Sequence, residues 1–166
     1  METLNPGSYT VILRAFQDGD TGIGLIELYD LHTTGGRAGN ISTRGPVLGG
    51  DQVLIAGFIV GGSQTKDVVV RAIGPSLSAV GVAGALGDPT VELRDQSGSL
   101  LASNDNWGTG PNAAQIQSEG LAPSNAAESA LQATLIPGSY TAIVRGANGT
   151  TGIGLVEVYD LSPGPN

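Results

Sequence analysis

"PGSYTAIVRGANGTTGIGLVEVYDL" occupies residues 137–161, and "PGSYTVILRAFQDGDTGIGLIELYDL" occupies residues 6–31. Leu4 aligns with Leu135 at an offset of 135 − 4 = 131, and Thr21 with Thr151 at 151 − 21 = 130, so one residue is lost in the turn between them. In both copies Pro-Gly-Ser-Tyr-Thr leads into an apolar run that ends at Arg14 or Arg145. A glycine-containing turn follows, then Thr-Gly-Ile-Gly-Leu and a Glu-x-Tyr-Asp-Leu close. Tyr9, Val11 and Leu13 alternate with Ile12 and Arg14, as Tyr140, Ala142 and Val144 alternate with Ile143 and Arg145, which is the period of a strand. The turns "QDGD" and "ANGT" contain Asp-Gly and Asn-Gly, which tolerate the positive φ of tight connections. Each copy therefore reads as a β-hairpin.

Five further apolar runs read as strands, at residues 52–60, 67–74, 90–95, 99–103 and 128–135. With the two hairpins they make about nine strands, so the predicted fold is all-β: a two-sheet antiparallel β-sandwich, jelly-roll-like. "VLIAGFIV" (53–60) and "DVVVRAIG" (67–74) are apolar enough for interior strands covered on both faces. Helix has little room, with only a turn or two in "SLSAVGVAGALG" and "PNAAQIQSEG". One complete unit is expected at residues 37–161. Residues 1–31 would then be a hairpin equivalent to the end of a preceding repeat, with 32–36 as linker and 162–166 as a Pro/Gly-rich tail. A circularly permuted unit of residues 1 to about 134 fits the same repeat.

Composition excludes several functions. With seven Lys and Arg and a net charge of −8, the chain lacks the basic cluster that a nucleic-acid surface needs. It has no cysteine, hence no disulfide framework and no thiolate metal site. The longest apolar run is too short to cross a bilayer, so no membrane insertion is expected.

The segments "VELRDQSGSLLASNDNW" (91–107) and "AAESALQATLIPGSYTAIVRG" (126–146) resemble the pre-peptidase C-terminal type of β-sandwich domain of extracellular bacterial proteins. "NISTRG", "RAIGPSL" and "SNDNW" are similar to a tandem repeat of large secreted bacterial proteins. The resemblance covers roughly residues 37–161. It implies an extracellular or cell-surface location and a module that serves secretion, attachment or binding rather than catalysis.

Asn104, Asp105 and Asn106 stand together after Asp95, and oxygen donors of this kind suit Ca²⁺, with Glu128 or Asp88 completing the set. Asx-rich loops also make turns by bonding their own backbone. Thr-Gly-Ile-Gly-Leu lacks the third glycine of a dinucleotide loop, and its glycines read as places where strands approach or bulge. Ser76 in "RAIGPSLS" is not in a nucleophile elbow, and the one histidine, His32, lies in the linker. Glu27 and Glu157 occupy equivalent places in the repeat and read as sheet-face residues rather than a hydrolytic pair. Trp107 reads as packing at the end of the sandwich, with sugar stacking as the alternative. The stretch from Asn104 to about Ala126 is long for a loop and is the first place to look for a partner site.

The functional expectation is a non-enzymatic structural or adhesive module with no catalytic residues. Its partners are other copies of itself or neighbouring repeats, joined end to end into a filament by the spare hairpin, the alternative being that this hairpin packs within its own domain and enlarges one sheet. The alternative is a carbohydrate-binding module, accessory to a secreted enzyme, with a glycan as partner; a small hydrolase is the third class.

Overall fold

A computed structural model describes residues 2–31 and 38–162. The chain divides into two units, one spanning Gly39–Pro163 and the other holding residues 2–31. His32 and most of the expected linker and tail lie outside the described residues.

The larger unit is a two-sheet antiparallel β-sandwich of eight strands. They are β1 (Asn40–Val47), β2 (Leu54–Val60), β3 (Lys66–Ile73), β4 (Pro89–Asp95), β5 (Leu100–Asn104), β6 (Ser129–Leu135), β7 (Gly138–Gly146) and β8 (Gly152–Asp160). One sheet has the order β1-β8-β3-β6 and the other β2-β7-β4-β5. Period-two alternation sends Val68, Val70 and Ala72 of β3, Val156 and Val158 of β8, Val91 and Leu93 of β4, and Tyr140, Ala142 and Val144 of β7 into one core. A 3₁₀ turn at Pro75–Val80 and one short helix, α1 (Ala113–Ser118), fall in the two stretches where a brief helix was expected.

Three expectations need correction. First, β7 and β8 are not a hairpin. They share no ladder, because each sits in the middle of a different sheet. Their connection is an arch over the end of the sandwich, held where the Ala147 amide donates to the Asp88 carbonyl at 2.8 Å. The inward residues of β7 and β8 therefore face one another across the core rather than lying side by side. Alternation is the same for both arrangements, and an Asn-Gly turn with Asn148 at φ 54° serves either. Second, "VLIAGFIV" is an edge strand: β2 pairs only with β7, and Ile55 and Ile59 on its outer face are exposed. "DVVVRAIG" is interior, as expected, between β8 and β6. Third, "NISTRGPV" forms β1, which the sequence pattern did not single out. Its polar residues and Pro46 suit an edge, where the missing N–H breaks no ladder.

Residues 2–31 contain no assigned strand, and every described residue among them is exposed. A turn is nonetheless present, with the Asp20 amide donating to the Gln17 carbonyl at 3.2 Å and Gly19 at φ 95°.

Candidate functional site

Of the five expected calcium ligands, Asn104, Asp105 and Asn106 lie beside residues 128–130, and Asp95 stands apart from them. Asp95 and Asn104 lie at opposite ends of the β4–β5 hairpin, since Val91 pairs with Asn104 and the turn after Asp95 closes the other end. At ~3.4 Å per residue that is more than 10 Å of strand. The Asp95 Oδ1 accepts from the amides of Ser97 and Ser99 at 2.8 and 3.0 Å and from the Ser97 hydroxyl at 2.6 Å, so the aspartate builds its own turn. Those bonds, the Ser97 hydroxyl foremost, hold its carboxyl below the usual carboxylate range. The Asn104 Oδ1 accepts from the Ala130 amide at 3.1 Å, and its Nδ2 donates to the Asn106 carbonyl at 3.2 Å. Asp105 is exposed, and its carbonyl accepts from the Ser129 hydroxyl at 2.8 Å. Among the described residues, no three His, Cys, Asp or Glu side chains gather as metal ligands would.

Glu128 has a different role, one that only the tertiary structure reveals. It is fully buried at the start of β6. Its Oε1 accepts from the amides of Gly74 and Ser76 at 3.1 and 2.9 Å and from the Ser76 hydroxyl, while Oε2 accepts from the Asn125 amide at 3.3 Å. The carboxyl thereby ties "IGPSLS" to the end of the 105–128 stretch and satisfies backbone donors that the turn after β3 would otherwise bury unpaired. Ser76 is thus a donor to a buried carboxyl.

The 105–128 stretch is not a free loop. It lies over the outer face of the β1-β8-β3-β6 sheet, where Trp107, Leu121 and Ala122 pack with Tyr159 and Leu161 around the buried Val69, Ile116 and Ala130. Trp107 is consequently a packing residue, anchored by its amide donating to the Glu128 carbonyl at 2.8 Å. Beneath the stretch lies a polar cluster. Arg71 of β3 stands directly opposite Glu157 of β8 and donates to its Oε2 from Nε and Nη2 at 2.9 and 2.5 Å. The same guanidinium donates to the Leu121 carbonyl at 3.0 Å and to the Tyr159 hydroxyl at 2.8 Å. Tyr159 in turn donates to the Glu157 Oε1 at 2.9 Å. Burial, reinforced by the Glu157 charge, raises the Tyr159 phenol above its ordinary value. Sequence reading missed Arg71 as part of a site. The available signal was a lone Arg in the apolar run "DVVVRAI" and a lone Glu in "VEVY", since charges on half-covered strands need partners.

The duplicated glycines also acquire a reason. A Cβ on Gly152 would stand 2.7 Å from the Leu86 backbone, and one on Gly154 would stand 3.1 Å from Val47 Cγ2. Between them Ile153 exchanges backbone hydrogen bonds with the 84–86 segment, its amide donating to the Gly84 carbonyl and its carbonyl accepting from the Leu86 amide, each at 2.8 Å. These glycines permit close strand approach, as expected.

No family model matches the chain, and no curated protein matches it. Among solved structures, it is similar to the pre-peptidase C-terminal domain of a collagenase from Bacillus anthracis, at 16% identity and a TM-score of 0.45, over 72% of this chain and 88% of that one. This is the type of domain that the motifs at residues 91–107 and 126–146 resemble.

Proposed function

We propose that the chain is a non-enzymatic structural or adhesive module of a secreted or cell-surface protein, linked end to end with sandwich units of its own kind. The observation that carries this reading is the second closing stretch. Val11, Leu13, Ile26 and Leu28 are 69, 56, 46 and 63% exposed, while their equivalents Ala142, Val144, Val156 and Val158 are 0, 0, 0 and 6% exposed. A segment with so many core-type side chains in water is a contact surface awaiting a partner. The non-enzymatic part is supported by the buried acids. Glu128 is committed to backbone amides and Glu157 to Arg71, so neither is placed to move a proton on a substrate.

Two measurements test the reading. Limited proteolysis is expected to cut within residues 2–31 while Gly39–Pro163 persists. A panel of protease, esterase and glycosidase substrates is expected to show no turnover above blank. Turnover that co-purifies with the chain and is lost on Glu157→Gln would overturn it.

A further inference from the structure

Within Gly39–Pro163 the closing stretch does not decorate an edge. β7 lies between β2 and β4, and β8 lies between β1 and β3. β1 pairs only with β8, and β2 only with β7. Without residues 135–161 both edge strands would lose their ladders and the core would lose Tyr140, Ala142, Val144, Val156 and Val158. A sandwich body of this kind is therefore incomplete until a closing pair enters the middle of both sheets.

Residues 4–31 retain what such a pair needs. The Tyr9 hydroxyl donates to the Asn5 carbonyl at 2.7 Å, as the Tyr140 hydroxyl does to the Ile136 carbonyl at 2.7 Å. The Tyr29 hydroxyl donates to the Glu27 Oε1 at 3.0 Å, matching Tyr159 and Glu157 at 2.9 Å. Gly22 and Gly24 stand where Gly152 admits the Leu86 backbone and Gly154 the Val47 side chain. In the complete unit each feature has a receptor: Arg71 receives Glu157 and Tyr159, and the Gly84–Leu86 backbone receives Gly152 and Ile153.

We propose that residues 4–31 are the closing strand pair of a second sandwich body. That body lacks closing strands of its own, carries an arginine opposite Glu27 and Tyr29, and runs a backbone segment past Gly22. The proposal rests on the reading of the chain as a linked module and specifies its partner. A completed copy of this chain does not qualify, for two reasons. Its slot is filled by residues 135–161, and entry there means displacing central strands rather than adding to an edge. The slot is also too small: Val11 replaces Ala142, Leu13 replaces Val144, Ile26 replaces Val156 and Leu28 replaces Val158, each a larger side chain at a buried position. Overpacking of this kind destabilises, because it forces side chains off their rotamers and shifts the backbone. The partner body therefore has smaller residues facing these four, and adjacent units are kept from exchanging closing strands.

The test places a second copy of residues 39–134 ahead of the full chain, so that residues 4–31 follow an open body, and measures amide hydrogen exchange over residues 8–30. Two versions are compared: the native segment, and one carrying V11A, L13V, I26V and L28V to match the slot of the added body. In the matched fusion exchange should slow by roughly 100-fold or more relative to the unfused chain. The native fusion should show less protection, and Arg71→Met in the added body alone should reduce the protection of the matched one. If the matched segment exchanges as fast as in the unfused chain while Gly39–Pro163 stays protected, the proposal is wrong. It is equally overturned if the unfused chain gains protection over residues 8–30 as concentration rises, since a completed copy would then accept the segment. Failure in either arm leaves the non-enzymatic reading standing, and substrate turnover would remove that reading without altering the exchange result.

Discussion

Replacing Glu128 tests whether this acid is a staple for the turn after β3 or a ligand held for a metal. Its buried carboxyl accepts from the buried Gly74 amide, from the part-buried amide and hydroxyl of Ser76, and from the amide of the exposed Asn125. Glu128→Ala leaves three backbone donors without an acceptor; the buried Gly74 N–H bears the full cost of ~1–3 kcal/mol, and the part-exposed Ser76 and Asn125 amides less. The hydroxyl can rotate to another acceptor, and water entering the vacated volume relieves part of the cost, so the lower part of the range applies. The expected loss is about 2–3 kcal/mol, a sizeable fraction of the ~5–15 kcal/mol that a domain possesses. Glu128→Gln is the milder partner variant. Its amide oxygen still serves Gly74 and Ser76, but its NH₂ faces the Asn125 N–H, for an expected loss of about 1–2 kcal/mol. Urea unfolding followed by tryptophan fluorescence provides the readout, because Trp107 donates its own amide to the Glu128 carbonyl and reports on this region. Calcium should not move the midpoint of the wild type, and neither should a chelator. An alanine variant within about 0.5 kcal/mol of wild type at unchanged m would refute the staple argument. A calcium-dependent rise in midpoint that Glu128→Gln abolishes would restore the metal reading.

Arg71→Met should cost about 2–3 kcal/mol, because it strands the mostly buried Glu157 carboxylate; R71M with E157L should recover much of that loss in a double-mutant cycle. Trp107→Ala should cost about 3 kcal/mol and make residues 108–127 sensitive to protease, with no change on a glycan array, since the ring packs rather than displays. For the Tyr159 phenol, raised in the folded state, the stabilising contribution is fully present below the ordinary phenol value and is lost as pH rises through the folded one; ultraviolet titration of Tyr159→Phe should lack one late-ionising phenol. For Asp95, lowered in the folded state, the contribution is present above the ordinary carboxyl value and is lost as pH falls through the folded one, so Asp95→Asn should flatten the acid limb of a pH–stability curve.

Much of this molecule is a local matter, and local matters are legible in a sequence. Alternation alone assigns Tyr140, Ala142 and Val144 to one face, and the run "DVVVRAIG" already marks a covered strand. Asp95 with Ser97 and Ser99 is a self-contained turn whose bonds span at most four residues. The repeat itself, with its Thr-Gly-Ile-Gly-Leu glycines, announces a second closing stretch without coordinates. What alternation cannot encode is the partner across a ladder, since a strand presents the same inward face whichever sheet it joins. Thus β7 and β8 parted into opposite sheets where a hairpin was expected, and "VLIAGFIV" became an edge. The roles of Arg71 and Glu128 were hidden for the same reason. Their partners stand 86 and, for Ser76, 52 residues away in the chain, and only closure of the core brings such groups within hydrogen-bonding reach. Side-chain periodicity sets which way a residue points, whereas the pairing of distant strands, chosen by the packing of the whole sandwich, decides what it meets.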